Sequence, residues 1–245
     1  MLSFDTPSSR PTYDLPFYLL SPSGSGKGTY GALLASRFLN ATFLSVGDIL
    51  REQSATNESL GAVMRKGALV DDSLVNDAVT QHLENRAAPK LKNAGMKDVI
   101  ILDGFPRNAL QSSLLEKWPD SLRPSLAIQV DVPDDICIIK LLGRRKCSIC
   151  NGSFNLNGVD TGGFDMPAIL PKAGVCKVNC NPDVDWEKRD DDTADTIKSR
   201  MGVYHNETKP LLRFWKKRGQ LLRFLPLKGV NDMDELLAGV GTQFE

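Results

Sequence analysis

Histidine is nearly missing from this sequence, with two in 245 residues. No Ser-His-Asp or Cys-His arrangement is evident, which argues against chemistry built on a histidine-activated nucleophile. Net charge is also missing, because 30 basic residues balance 30 acidic ones. Bulk attraction to nucleic acid or to an anionic membrane is therefore not indicated, and any basic function must be local. No apolar run approaches the roughly 18 residues of a membrane span. Cysteine is sparse and odd in number, at five, which does not suit a disulfide framework and points to a reducing compartment, cytoplasmic or an organelle interior, rather than secretion. Residues 1–14 lack an apolar core of signal-peptide length and read as a loose tail, and Asp5 and Asp14 count against organelle targeting. No internal repeat is visible. What remains is 41% hydrophobic, enough to bury a sizeable core.

The most informative stretch is Ser21-Pro22-Ser23-Gly24-Ser25-Gly26-Lys27-Gly28-Thr29. The apolar run Phe17–Leu20 precedes it, and Leu33, Leu34, Phe38 and Leu39 follow at helical spacing. The order strand, glycine-rich turn, helix is what a phosphate-cradling loop requires. Glycines let the backbone wrap an anion, successive N–H groups point inward, and the helix opening near Lys27 adds its positive end. Ser21 stands where such loops open with glycine, and Gly28 takes the usual Ser/Thr position with Thr29 next.

Further apolar runs predict strands at 42–45, 99–102, 126–131 and 221–225, with helical periodicity between them. Such alternation implies parallel strands and right-handed crossovers, hence an open α/β sheet covered by helices, with ligands beyond the carboxyl ends of the strands. Gly47 and Asp48 open a helix with Arg51 on its first turn, Gly67 ends the Leu60/Val63/Met64 helix, and Asp71-Asp72-Ser73 caps the next. His82 on that helix reads as a surface residue. Asp103 closes a strand, the usual place for a carboxylate that holds magnesium directly or through water. Arg107 and Gln111 are predicted to share a helical face, guanidinium for phosphate and carboxamide for a base edge. Cys137 reads as core. Gly143 ends its helix at Arg144-Arg145. The long Gly-, Asn- and Pro-rich stretch 146–188 lacks helical cues and reads as a flap or small inserted domain. In Arg189-Asp190-Asp191-Asp192-Thr193 the acids suit a helix start, and Arg189 and Arg200, three turns apart, can face one cleft. The basic stretch 213–218 reads as the end of an amphipathic helix rather than a nucleic-acid site.

One lysine on a phosphate loop, one strand-end carboxylate and the arginines 51, 107, 144, 189 and 200 suit phosphoryl transfer, which needs positioning and charge stabilisation but no protein nucleophile. S-G-S-G-K-G-T, G-D-I-L-R, K-G-A-L-V, D-G-F-P-R with Gln111, G-R-R, the long lid, R-D-D-D and then Tyr204-His205 resemble, in this order, the adenylate kinases from about Leu15 to the C-terminal helix. The resemblance implies a three-layer α/β fold of the P-loop nucleoside triphosphate hydrolase type, with a five-stranded parallel sheet. Its implied parts are a core (15–45, 76–143 and 190–245), an AMP-binding helical insert (46–75) and a lid (144–189). It implies magnesium-dependent ATP + AMP = 2 ADP, performed by a monomer without nucleic-acid or membrane partners.

By the same resemblance, Ser23, Gly24, Ser25, Gly26, Lys27, Gly28, Thr29, Lys140 and Arg144 bind ATP. Val46, Arg51, Val70, Gly104, Arg107, Gln111, Arg189 and Arg200 bind AMP. Lys27, Arg107, Arg144, Arg189 and Arg200 are catalytic, and Asp103 positions magnesium through water. Cys147, Cys150, Cys176 and Cys180 permit a structural zinc in the lid. Ser21, Ser23, Val46 and Lys140 depart from the usual glycine, proline, threonine and adenine-stacking arginine. These departures bear on base selectivity, so a UMP/CMP kinase, a GTP-using kinase or a non-catalytic nucleotide-binding or zinc interaction module are the alternatives.

Overall fold

The computed structural model describes residues 17–38, 41–90, 99–119, 123–149, 152–170 and 186–243, with side chains described only to Leu83 in the first part of 41–90 and again from Val99. Five strands form the central sheet: β1 (Phe17–Leu19), β2 (Ala41–Ser45), β3 (Val99–Asp103), β4 (Leu126–Val130) and, last in the chain, Leu221–Phe224. The last strand pairs with β4, followed by β1, β3 and β2, and every pairing is parallel. The α/β class and the five parallel strands agree with the sequence reading, with bounds shifted by a residue at several ends.

β1 is central and buried on both faces, so its residues alternate between two cores. Phe17 and Leu19 pack with Leu34, Ile101 and Ile128. Tyr18 and Leu20 pack with Val75, Val79, Leu102 and Trp215. Helices α1 (Lys27–Arg37), α2 (Val46–Ser54), α3 (Glu58–Arg65), α4 (Asp72–Lys90), α5 (Ala109–Leu115) and α6 (Asp134–Gly143) follow the strands. The helix Ala194–Val203 runs through a π-helical turn at Tyr204–Thr208 into Lys209–Lys217, and the helix Met233–Gly241 closes the fold.

Several local expectations change. Ser45, not Gly47 or Asp48, caps α2, accepting the Asp48 N–H, and Arg51 sits in the last turn of α2 rather than the first. Arg107 precedes α5, which starts at Ala109 behind the Asn108 cap, so Arg107 and Gln111 do not share a helix. Arg189 likewise lies ahead of the helix that carries Arg200, which is capped by Thr193 rather than by the acids. His82 is half-buried. Gly67 ends α3 with φ +68°, and Asp71 accepts the Ser73 and Leu74 N–H groups ahead of α4, as expected.

The stretch after α6 is β structure. Strands β5 (Arg144–Cys147), β6 (Ser153–Asn155) and, later, Trp186–Glu187 form one small sheet, and β7 (Val159–Thr161) with β8 (Phe164–Met166) forms a hairpin. Each strand is two to four residues long and therefore leaves little periodic trace in sequence.

Candidate active site

A cavity of about 550 Å³ opens where the carboxyl ends of the central strands meet the α2–α3 insert and the small sheets. The turn after β1 forms its floor. Gly24 and Gly26 there have φ of +90° and +95°, and a Cβ on Gly24 would lie 2.3 Å from the Cys137 carbonyl oxygen, so only glycine allows this approach to α6. Ser23 and Ser25 through Thr29 complete the loop's contribution to the lining. The Ser25 hydroxyl is buried and has no hydrogen-bond partner among the described residues. An orphaned donor in a loop of this shape fits an anion's oxygen.

Lys27 opens α1 and folds back over the loop. Its ammonium donates to the carbonyls of Ser21 and Pro22, both at 2.7 Å, and lies 4.0 Å from Asp103. Burial lowers its pKa, and the Asp103 charge opposes that shift. Asp103, at the end of β3, lines the same cavity. A lone carboxylate facing a phosphate loop leaves oxygen positions for water and phosphate, the donor set that suits magnesium.

The arginines converge from four separate segments. Arg144 follows α6 and binds Asp192 through both carboxylate oxygens, at 2.8 and 2.5 Å. Arg200 pairs with Asp191 and stands 3.6 Å from Asp192. Arg51 pairs with Asp48 and reaches Asp191 at 3.8 Å, while Arg189 approaches Asp48 at 3.7 Å. Asp192 is fully buried. Burial pushes the Asp191 carboxyl up, but Arg200, Arg51 and Arg144 outweigh it and hold the group below its ordinary value. Asp48 behaves likewise under Arg51 and Arg189. Burial, with Arg144 and Arg51 nearby, brings Arg189 down to about 10. Asp191 and Asp192, expected as helix caps, instead lock the arginines. A run of acids beside an arginine was the only sequence signal, since Arg144 lies 48 residues from Asp192 and Arg51 is farther still from Asp191.

Arg107 is held from three sides. Its Nε–H donates to Gly104 O at 3.0 Å, its N–H to Gln111 Oε1 at 2.7 Å, and its carbonyl accepts the Thr208 hydroxyl at 2.7 Å. Burial lowers its pKa against the pull of Asp103. Gln111 is buried, and its Nε2 donates to Asp72 at 2.7 Å. One N–H and one lone pair of the carboxamide remain for a ligand. Gly104, Val46 and Val70 line the same side of the cavity as Arg107 and Arg51, while Lys140 on α6 joins from the other and donates to the carbonyls of Asn157 and Pro167, at 3.2 and 3.4 Å. Every residue assigned to a nucleotide or to magnesium from the sequence thus lines this cavity.

Cations outnumber the carboxylates set against them in this cavity. Residues 19–220 match the family model for adenylate kinase. The chain belongs to the adenylate kinase family. It is similar to a GTP:AMP phosphotransferase of Plasmodium falciparum, 36% identical over 222 residues, which cover 89% of this chain and 92% of that protein. An adenylate kinase of Clostridium novyi is 32% identical over 233 residues, covering 93% and 97%. An adenylate kinase of Caldicellulosiruptor saccharolyticus is 33% identical over 232 residues, covering 92% and 98%.

Of the four cysteines that the sequence offers to zinc, Cys150, Cys176 and Cys180 lie outside the described residues, and Cys147 is buried. Among the described residues no three metal-ligating groups cluster. Cys137 is fully buried, with its thiol pushed up to about 12 by burial, in keeping with a core role. No helix among the described residues is long and apolar enough to cross a membrane.

Proposed function

We propose that this member of the adenylate kinase family transfers the terminal phosphoryl group of ATP to AMP reversibly, giving two ADP. The observation that carries this reading is the convergence of the phosphate loop, Asp103 and five arginines on one cavity. The bond from the γ phosphorus to the β–γ bridging oxygen breaks as a bond to an AMP phosphate oxygen forms.

The loop N–H groups, the Ser25 hydroxyl and Lys27 bind the donor's phosphates. On nucleotide entry the Lys27 ammonium exchanges its two carbonyl acceptors for phosphate oxygens. Arg51 and Arg107, with Gln111, orient the acceptor monophosphate, and Val46 and Val70 give its base an apolar seat. Arg144, Arg189 and Arg200 face the transferring group. Guanidiniums stay charged and offer paired donors, so charge spreading onto the equatorial oxygens is met without proton movement. Asp191 and Asp192 orient these arginines, which lowers the reorganisation needed at the moment of transfer. Magnesium, when bound, neutralises phosphate charge, and Asp103 would hold it through water. The segment carrying β5 and β6 covers the cavity and excludes water as a competing acceptor. One chain supplies all these groups, which supports action as a monomer.

A second reading keeps AMP as acceptor and puts GTP in the donor site. The name of the Plasmodium relative favours it, as does Lys140 in place of an arginine. ADP production from ATP and AMP, coupled to a detecting enzyme, tests the first reading. The same assay with GTP, and with UMP or CMP as acceptor, separates it from the second reading and from the other kinases.

A further inference from the structure

The hairpin of β7 and β8 falls inside the stretch that the sequence assigns to a lid, yet it is built into the core. At its root, Asn155 Nδ2 donates to Lys140 O at 2.8 Å, Asn157 Nδ2 to Ile139 O at 2.9 Å, and the Leu156 N–H to Gly143 O at 2.9 Å. These bonds satisfy carbonyls at the end of α6. At its far end the Asp165 N–H donates to Leu227 O at 2.7 Å. Between the two, Val159, Phe164 and Met166 are buried in the same cluster as Phe17 and Ile128. Met166 packs on the turn after the last strand so closely that a Cβ on Gly229 would come within 3.3 Å of the Met166 Cβ. Lys140 ties the two ends together through Asn157 O and Pro167 O.

Met166 and Pro167 line the active-site cavity together with Lys140, Gly229 and Val230. Sheet order tells which nucleotide they meet. The acceptor residues on α2 follow β2, at one edge of the sheet, whereas the turn at Gly229 follows the last strand, at the opposite edge, beside β4 and α6. A base seated against the hairpin is therefore the donor's.

We infer that the hairpin is a fixed wall of the donor-base subsite and that Met166 is a specificity-determining residue for a purine triphosphate. The inference rests on the phosphoryl-transfer reading above. A thioether packs well on an extended aromatic face, and the Lys140 ammonium adds a cation–π contact that a larger π-system strengthens. The hairpin is bonded to the end of α6 and to Leu227, so the donor base meets a formed surface.

The experiment compares kcat/KM for ATP and CTP, with AMP as acceptor, in the wild type and in Met166→Ala. The expected result is a fall of at least fivefold in the ATP-to-CTP ratio, with the KM for AMP unchanged within twofold. Equal losses for both donors, or an unchanged ratio, overturn the assignment. Because Met166 also packs the core, hydrogen exchange on the unmutated chain provides a second arm. Amides of residues 159–166 should exchange as slowly without nucleotide as with ATP, and fast exchange that ATP suppresses overturns the fixed wall. If the wild type forms no ADP from any triphosphate and AMP, phosphoryl transfer itself fails, which the exchange arm leaves untouched.

Discussion

The Val130 N–H donates to the Ser21 hydroxyl oxygen at 2.6 Å, a buried bond between the mouth of the phosphate loop and the end of β4. The Ser21 carbonyl in turn accepts Lys27. The serine that stands in place of the loop's opening glycine therefore has a task of its own: it satisfies a strand-end donor and fixes the carbonyl on which Lys27 rests.

Ser21→Ala leaves the Val130 N–H buried without its acceptor, which should destabilise the fold by about 1–3 kcal/mol. Urea unfolding measures this directly. A loss below about 0.5 kcal/mol, the usual scale of a neutral surface change, would mean that the bond contributes nothing.

Asp192→Ala should be costlier. It strips a fully buried carboxylate from Arg144, which loses its two-point partner, while Arg200 keeps Asp191. Breaking such a pair from one side costs about 3–5 kcal/mol, so the variant should unfold well below the wild-type midpoint and lose most of its activity. Wild-type stability in this variant would show that Arg144 finds solvent without penalty.

Acid should weaken the fold through Asp191 and Asp48. Both carboxyls are held below their ordinary value of 3.8 by arginines that outweigh burial. A depressed folded pKa gives stability that is fully present above the unfolded value and lost as the pH falls through the folded one. Urea midpoints should hold steady down to about pH 4 and then decline, and Asp191→Asn should flatten that decline. An identical acid profile in the variant contradicts the assignment.

The five strands could be read from sequence because parallel strands buried on both faces appear as plain apolar runs, such as Val99-Ile100-Ile101-Leu102. The residues that line the cavity could be picked out because glycine, lysine and arginine in this order have few other uses. Partnership was not legible. Gln111 was expected at a base edge, and it also holds the Arg107 backbone and Asp72, across 39 residues. Asp191 and Asp192 looked like caps because local spacing cannot reveal salt bridges to Arg51 and Arg144. The β7–β8 hairpin was hidden for another reason. Val159, Phe164 and Met166 are separated by Asp160, Thr161, two glycines and Asp165, and Met166 packs on a turn near Gly229, some 63 residues beyond it.

The most direct measurement is ADP formation from ATP and AMP by the purified chain with magnesium, run beside Lys27→Ala and Arg107→Ala. Turnover by the wild type, and a loss well beyond tenfold in each variant, or more than about 1.4 kcal/mol of barrier, is the predicted result. Binding of ATP without any turnover, or variants within tenfold of wild type, would contradict the assignment of this cavity to phosphoryl transfer.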